Sequence, residues 1–318
     1  MIFSLAPMEG LTGHVYRKVQ AECFEKLDRY YTPFLAPPRV GSSFGKRAAK
    51  ELDSVYRQDL TVIPQLLTKN ADEFVWAARL LSEMGFTEVN LNLGCPSGTV
   101  VAKGKGSGFL QNLDELSTFL DNVCTKSCLP VSVKTRVGVS NDEEYEKILD
   151  LYCKFPLTEL IVHPRVQKDG YKGVPRQQLY GKTLARAAFP VAYNGDIFSS
   201  DEITVLLNTY PKTRHIMLGR GVLTNPALIR EWNSGTSLSI DELEHFHNRL
   251  FQAYMEEMGG NAVFRMKEWW CYAKYAFSDP RAVHRTVRKT RSIKEYAGAT
   301  ERVFHTERLA DIIRFQAQ

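Results

Sequence analysis

No stretch of this 318-residue chain approaches the ~18 consecutive apolar residues of a membrane-crossing helix. The N-terminal run from Ile2 to Pro7 is too short for the apolar part of a secretion signal and has no basic flank. These absences set the expectation of a cytoplasmic protein whose six cysteines, at 23, 95, 124, 128, 153 and 271, are reduced. Metal-binding cysteine spacing is missing too. Cys124 and Cys128 make a C-x3-C pair with no second Cys/His pair, so two structural thiols fit better than zinc. No G-x-G-x-x-G follows the first β-rich run, which weighs against a dinucleotide-binding open sheet. Repeats of roughly 20–50 residues and low-complexity tracts are absent.

What is present is an alternation. Strands are expected near 2–5, 30–35, 61–67, 88–94, 130–136, 159–163, 190–194 and 214–218. Several are apolar on both faces, as in Leu160-Ile161-Val162, the mark of buried parallel strands. Helical patterns fill the gaps at 71–84, 114–126, 142–154, 200–208 and 226–232, with Asn70, Asn112, Asn141 and Ser199 where caps belong. Eight such units predict an α/β fold, a (β/α)8 TIM barrel. Beyond Gly235 the strand signal stops, and 239–258, 263–277, 280–290 and 306–316 read as helices. The expected organisation is a catalytic barrel over 1–235 and a smaller all-helical domain over 236–318.

Charge is uneven. From Arg265 to Gln318 there are twelve Lys/Arg against six Asp/Glu, net +6, so in a chain of net +5 the first 264 residues sum to −1. Trp269, Trp270, Tyr272, Tyr275 and Phe277 are interleaved with these cations. The mixture suits a polyanion with stackable bases, whereas a solvated helix face is the plainer explanation of a charge run.

The chemistry-bearing residues fall at strand ends. Val89–Leu93 ends in Gly94-Cys95-Pro96 and a glycine-rich loop, delivering a lone thiol to the carboxyl end of a buried strand. Successive runs end in Pro7-Met8-Glu9-Gly10, Gln65, Asn92, Lys134 with Arg136, His163 with Arg165, Asn194-Gly195-Asp196 and Gly219-Arg220-Gly221. Polar groups at nearly every strand end argue for one shared site at the catalytic face. Glycines after the last two runs let backbone N–H groups close on a phosphate, with Arg220 as a permanent cation. Lys134 and His163 offer donors to a group that becomes anionic. Gln65 is either a donor and acceptor for a heterocycle edge or a buried amide, and Asp196 caps the following helix. This set matches flavin mononucleotide (FMN), which carries the redox chemistry while the protein orients it.

Together, Ala6-Pro7-Met8-Glu9-Gly10, Asn92-Leu93-Gly94-Cys95-Pro96, Val133-Lys134-Thr135-Arg136, His163-Pro164-Arg165, Asn194-Gly195-Asp196 and Gly219-Arg220-Gly221 resemble the tRNA-dihydrouridine synthase family in order and spacing. The match is strong over about 3–235 and looser in the tail, through Arg265-Met266-Lys267-Glu268-Trp269, where it looks most like the bacterial C-type branch. The resemblance implies an FMN-binding barrel plus a helical RNA-binding domain, NADPH as reductant and tRNA as substrate. It implies that Pro7, Met8, Gln65, Lys134, His163, Asn194, Gly195, Gly219 and Arg220 line the flavin. Asn92, Cys95, Lys103 and Arg165 face the uracil, and Arg265 and Lys267 hold the tRNA. Pro164, Tyr193 and Gly98 depart from the family pattern, where Gly, a small residue and Lys are common. No stable protein partner is indicated, and a monomer is expected.

The expected reaction is reduction of the uracil C5=C6 bond. Hydride reaches C6, and the Cys95 thiol supplies the proton to C5. Lys103 and Asn92 would stabilise the developing oxyanion. The base must be extruded from the RNA, and the loop from Gly98 to Gly108 is expected to be a mobile cover over it. The alternatives are an FMN barrel reducing a small pyrimidine or enone, and a non-catalytic RNA-binding protein. The basic tail disfavours the first, and Cys95, Lys134 and His163 disfavour the second.

Overall fold

The structure is a computed structural model that describes residues 1–53 and 59–313. Its strands are β1 (Ile2–Leu5), β2 (Arg29–Tyr31), β3 (Val62–Ile63), β4 (Gln65–Leu66), β5 (Val89–Leu93), β6 (Val131–Arg136), β7 (Leu160–His163), β8 (Val191–Tyr193) and β9 (His215–Leu218). All pair in parallel, in the order β3-β2-β1-β9-β8-β7-β6-β5-β4. The two ends of that order are halves of one run, split at Pro64. Proline has no N–H for a ladder, so the run breaks there. Its carbonyl still accepts from Asn90 N at 2.9 Å. Eight positions therefore close a barrel, as the sequence pattern predicts.

Alternation along each strand sends every second side chain inward. Ala6, Tyr31, Ile63, Ile161, Ala192 and Met217 form one apolar layer of the interior. Beneath it lies a buried polar floor. Ser4 Oγ is 2.6 Å from His215 Nε2, and His215 Nδ1 is 2.8 Å from Glu159 Oε1. Arg29 and the Tyr31 hydroxyl reach the other oxygen of Glu159 at 3.4 Å. The order Ser-His-Glu is that of a hydrolytic triad, but Ser4 is wholly buried. Its role is to satisfy the charge inside the barrel floor.

The helices start where the side chains dictate. Asn70 accepts from Glu73 N and Asn112 from Glu115 N, each at 3.1 Å, opening helices Ala71–Glu83 and Leu113–Lys126. The chain forms two compact units, one of residues 1–7, 28–195 and 210–217, the other of residues 8–27, 196–209 and 218 onward. The sheet belongs to the first, but for Leu218 at the end of β9.

The second unit holds helices Ile240–Met258, Ala262–Ala273, Pro280–Arg288 and Ile293–Thr306. The last corrects the expected helix at 306–316. Ser292 accepts from Glu295 N at 3.2 Å and caps a helix that starts 13 residues earlier than expected, a Ser-x-x-Glu start signal present in the sequence. After Thr306 the backbone turns to pair with 276–278 instead. Ser278 N donates to Arg308 O at 2.9 Å and Ala310 N to Ala276 O at 2.8 Å. Residues 314–316 of that expected helix lie outside the described residues.

A second correction concerns the interleaved aromatics. Trp269, Trp270, Tyr275 and Phe277 are buried rather than presented for stacking. Trp269 and Trp270 pack around His247, together with Phe251, Tyr296 and Phe304. His247 Nε2 is 2.7 Å from Tyr296 Oη, which also accepts from Trp270 Nε1 at 2.9 Å. Burial pulls His247 down to about 4. The ring is thus neutral in the fold but protonates below ~6.5 in the unfolded chain. Its contribution is fully present above that pH and is lost as pH falls toward 4, about 3 kcal/mol across the window. In His247→Gln the decline in melting temperature between about pH 7 and pH 4.5 should flatten. An undiminished decline in the variant would exclude His247 as its source.

Candidate active site

The site residues of the first unit meet at the carboxyl ends of β4 to β8. Strand register pairs Gln65 with Asn90, Asn92 with Lys134 and Arg136 with His163. All six side chains lie on the inward face set by the alternation of β4 to β7.

Asn92 is engaged at both ends of its carboxamide. Its Oδ1 accepts from Gly94 N at 3.1 Å and Cys95 N at 2.9 Å, and its Nδ2 donates to Gln65 Oε1 at 2.6 Å. It shapes the turn that carries the thiol. On the other side, Ser107 N and Ser107 Oγ donate to Cys95 O at 3.1 and 2.8 Å. Gly106, at φ +57°, packs so close that a Cβ would lie 2.8 Å from Cys95 O. Gly106–Leu110 is buried, so this half of the glycine-rich loop is a fixed backing for Cys95 and not the mobile cover expected. Cys95 itself is half-buried. Lys103 is exposed after the short helix Gly98–Val101, and its ammonium has no hydrogen-bond or ion-pair partner among the described residues.

Lys134 points inward from β6, half-buried, also without a hydrogen-bond or ion-pair partner among the described residues. Burial, aided by the positive charge of Arg136, pulls its ammonium down to about 7. Arg136 is fully buried and holds three carbonyls. Its Nε donates to Gly94 O at 2.9 Å, its Nη1 to Val166 O at 2.8 Å and its Nη2 to Gly170 O at 2.6 Å. Arg165 is buried as well, donating to the carbonyls of Lys172 and Gly173. Its Nη1 lies 3.1 Å from His163 Nε2. A guanidinium can only donate, so Nε2 is the accepting nitrogen and Nδ1 carries the ring proton. Arg165 therefore orients His163 and the loop to Gly173. Tyr171 on that loop stacks on His163 with centroids 6.2 Å apart, over the Arg136 guanidinium.

Sequence reasoning placed Arg136 at a strand end without assigning it a role, and passed over Tyr171. The Lys-x-Arg spacing put Arg136 on the inward face and could have found it. Tyr171 sits in a loop with no periodic signal.

Asn194 Nδ2 donates to Met217 O at 2.8 Å, tying β8 to β9. Tyr193 points outward, its ring 5.0 Å from that of Tyr180. A Cβ on Gly195 would lie 2.1 Å from Tyr193 Oη, so the unusual tyrosine and the glycine require each other. Gly195→Ala should cost about 2–4 kcal/mol in denaturant unfolding. Adding Tyr193→Leu should recover much of that; strictly additive losses would exclude the clash.

The remaining predicted residues are placed as follows. Pro7 follows β1. In the second unit, Met8 O accepts from Leu11 N and Thr12 N at 3.0 Å. Arg220 is not a lone cation, because its Nη2 donates to Asp196 Oδ1 at 2.5 Å and its guanidinium lies over Phe198. Gly221 packs against Ile197 O, where a Cβ would lie 2.1 Å away. Arg265 donates to Gly10 O and to Glu268, and Lys267 to Thr290 O. Both are half-buried, their donors turned to the fold. Exposed cations lie elsewhere, at Arg281, Arg285 and Arg288 of Pro280–Arg288 and at Lys289, Arg291 and Lys294.

Comparison with known proteins decides which use of this geometry applies. The dihydrouridine synthase family model matches residues 4–304. The chain belongs to the dihydrouridine synthase family. Among its relatives, a probable tRNA-dihydrouridine synthase of Staphylococcus epidermidis is 30% identical over 258 residues, 79% of this chain and 78% of that one. The probable tRNA-dihydrouridine synthase 2 of Bacillus subtilis is 28% identical over 261 residues, 80% and 79% of the two chains. Two solved structures share the fold at low identity. Morphinone reductase has a TM-score of 0.52 at 12% identity, covering 75% of this chain and 87% of its own. A variant of NCR from Zymomonas mobilis has 0.50 at 13%, covering 77% and 90%. Membership makes the chain a tRNA-dihydrouridine synthase by family. Among the described residues no group of His, Cys, Asp and Glu is arranged to hold a metal ion, and no helix is long and apolar enough to cross a membrane.

Proposed function

We propose that this chain is an FMN-dependent, NADPH-driven tRNA-dihydrouridine synthase in which Cys95 is the proton donor. One observation carries the reading: an inward, half-buried cation without an acidic partner among the described residues, Lys134, is register-paired with the asparagine that shapes the Cys95 turn. The donor set fits a flavin. It consists of the Lys134 ammonium and the Nδ1–H of His163, which suit a ring bearing carbonyls and negative charge. Of the first unit's residues expected to line it, Pro7, Gln65, Lys134, His163 and Asn194 would hold the ring system and Gly195 would lie toward the phosphate.

Bound there, a flavin would supply the hydride for C6 of the uracil, with NADPH as its reductant. The chain's own residues do the rest. Cys95 gives its proton to C5. Asn92 holds the thiol's turn, and Lys103, exposed and without a partner among the described residues, reaches the oxyanion that forms on the substrate. Arg165 keeps His163 in one tautomer and one orientation. Residues 236–318 bind the tRNA. With Arg265 and Lys267 turned inward, phosphate contact falls mainly to Arg281, Arg285 and Arg288.

The test is direct. Purified protein should be yellow with one FMN and convert uridine to dihydrouridine in unmodified tRNA with NADPH. Charge reversal of Arg281, Arg285 and Arg288 together should raise the tRNA KM about tenfold or more without bleaching the protein. A colourless protein that neither takes up FMN nor reduces tRNA would overturn the proposal.

A further inference from the structure

A line of buried amides crosses the barrel interior beneath the thiol turn. Asn92 Nδ2 donates to Gln65 Oε1 at 2.6 Å, Gln65 Nε2 to Asn90 Oδ1 at 2.7 Å, Asn90 Nδ2 to Ser132 Oγ at 2.9 Å and Ser132 Oγ to Glu88 Oε1 at 2.6 Å. Gln65, Asn90 and Ser132 are fully buried.

The direction of the line is forced. The two backbone N–H groups at Gly94 and Cys95 can only donate, so the Asn92 oxygen must face them. Its NH2 then faces Gln65, whose oxygen must meet it, and the same logic passes through Asn90 to the Ser132 hydroxyl. Ser132 must spend its proton on Glu88, a carboxylate able to receive it. Five side chains thus have a single consistent arrangement, and a carboxamide flip at any one would set donor against donor in the interior.

We infer that Asn90 is a positioning residue for the Cys95 turn. It touches neither substrate nor cofactor. It fixes which end of Gln65 faces Asn92, and through Asn92 it holds the backbone that aims the thiol. The inference rests on the proposed role of Cys95, and its test is chosen to stand apart from that role.

Asn90→Leu removes both polar ends at similar volume. Asn90→Asp keeps an acceptor for Gln65. Flavin-free, folded protein is treated with iodoacetamide and the alkylation rate of Cys95 is followed by mass spectrometry. Wild type and Asn90→Asp should agree within about twofold, and Asn90→Leu should differ by roughly fivefold or more. With flavin and tRNA, Asn90→Leu should lower kcat about tenfold or more while the tRNA KM stays within about threefold. Should Asn90→Leu fail to fold, Ser132→Ala takes its place. An unchanged Cys95 alkylation rate in a folded variant overturns the inference whatever the activity. Absence of product from the wild type strikes instead at the enzymatic reading, which the alkylation arm does not use.

Discussion

Cys95→Ala is expected to yield a folded protein that oxidises NADPH normally yet forms dihydrouridine about 10²–10⁴ times more slowly. The Cys95 side chain makes no hydrogen bond among the described residues, whereas its backbone is held by Asn92 and Ser107. Removing one sulfur therefore costs the fold little and leaves the turn in place. What is lost is the proton for C5, and general acids of this kind are worth about 10²–10⁴ in rate. Rapid mixing separates the steps: flavin reduction by NADPH should be unchanged, and flavin reoxidation by tRNA should slow. Wild-type product formation in the variant would remove Cys95 from the chemistry.

The second large effect runs in two directions at once. Lys134→Met should abolish flavin retention and stabilise the flavin-free protein at neutral and mildly acidic pH. The Lys134 ammonium is pulled to about 7 by burial, whereas an unfolded lysine titrates near ~10.4. Between these values the unfolded chain binds more protons than the native one, so native stability rises with pH across that window. Below it the folded protein bears the whole cost of a charged lysine in a poor environment. Allowing for partial exposure, that cost is about 3 kcal/mol, which methionine removes. An anion beside the ammonium reverses the balance, so flavin should stabilise wild type more than the variant. Denaturant unfolding near pH 6.5, with and without FMN, reads both effects. A variant no more stable than wild type, or one still yellow, would contradict this role for Lys134.

How much was legible in the sequence follows from how local each signal is. The barrel was legible because buried parallel strands and capped helices each announce themselves within about ten residues. The split at Pro64 was legible in retrospect, because one proline in a strand breaks a ladder. The helix at 293–306 was misplaced because Ala297-Gly298-Ala299 blurs its apolar stripe, although Ser292 and Glu295 mark its start.

At the site, the strand alternation brought Gln65, Asn92, Lys134 and His163 onto one face as the pattern required. The uses of individual groups were not legible. Arg165, Arg265 and Lys267 looked like ligand contacts, and only folding shows each also donating to backbone carbonyls. The tail's aromatics looked like stacking platforms because composition cannot say which face of a helix is covered. Gln65 stood open between ligand contact and buried amide. It is hydrogen-bonded at both ends of its amide, which is what makes it useful in orienting Asn92.

The most direct test is a map of dihydrouridine in total tRNA from cells lacking this protein, with the wild-type and Cys95→Ala proteins restored in turn. The account predicts loss of dihydrouridine at one or a few defined positions, full return with wild type and none with Cys95→Ala. An unchanged map in the deletion would contradict it.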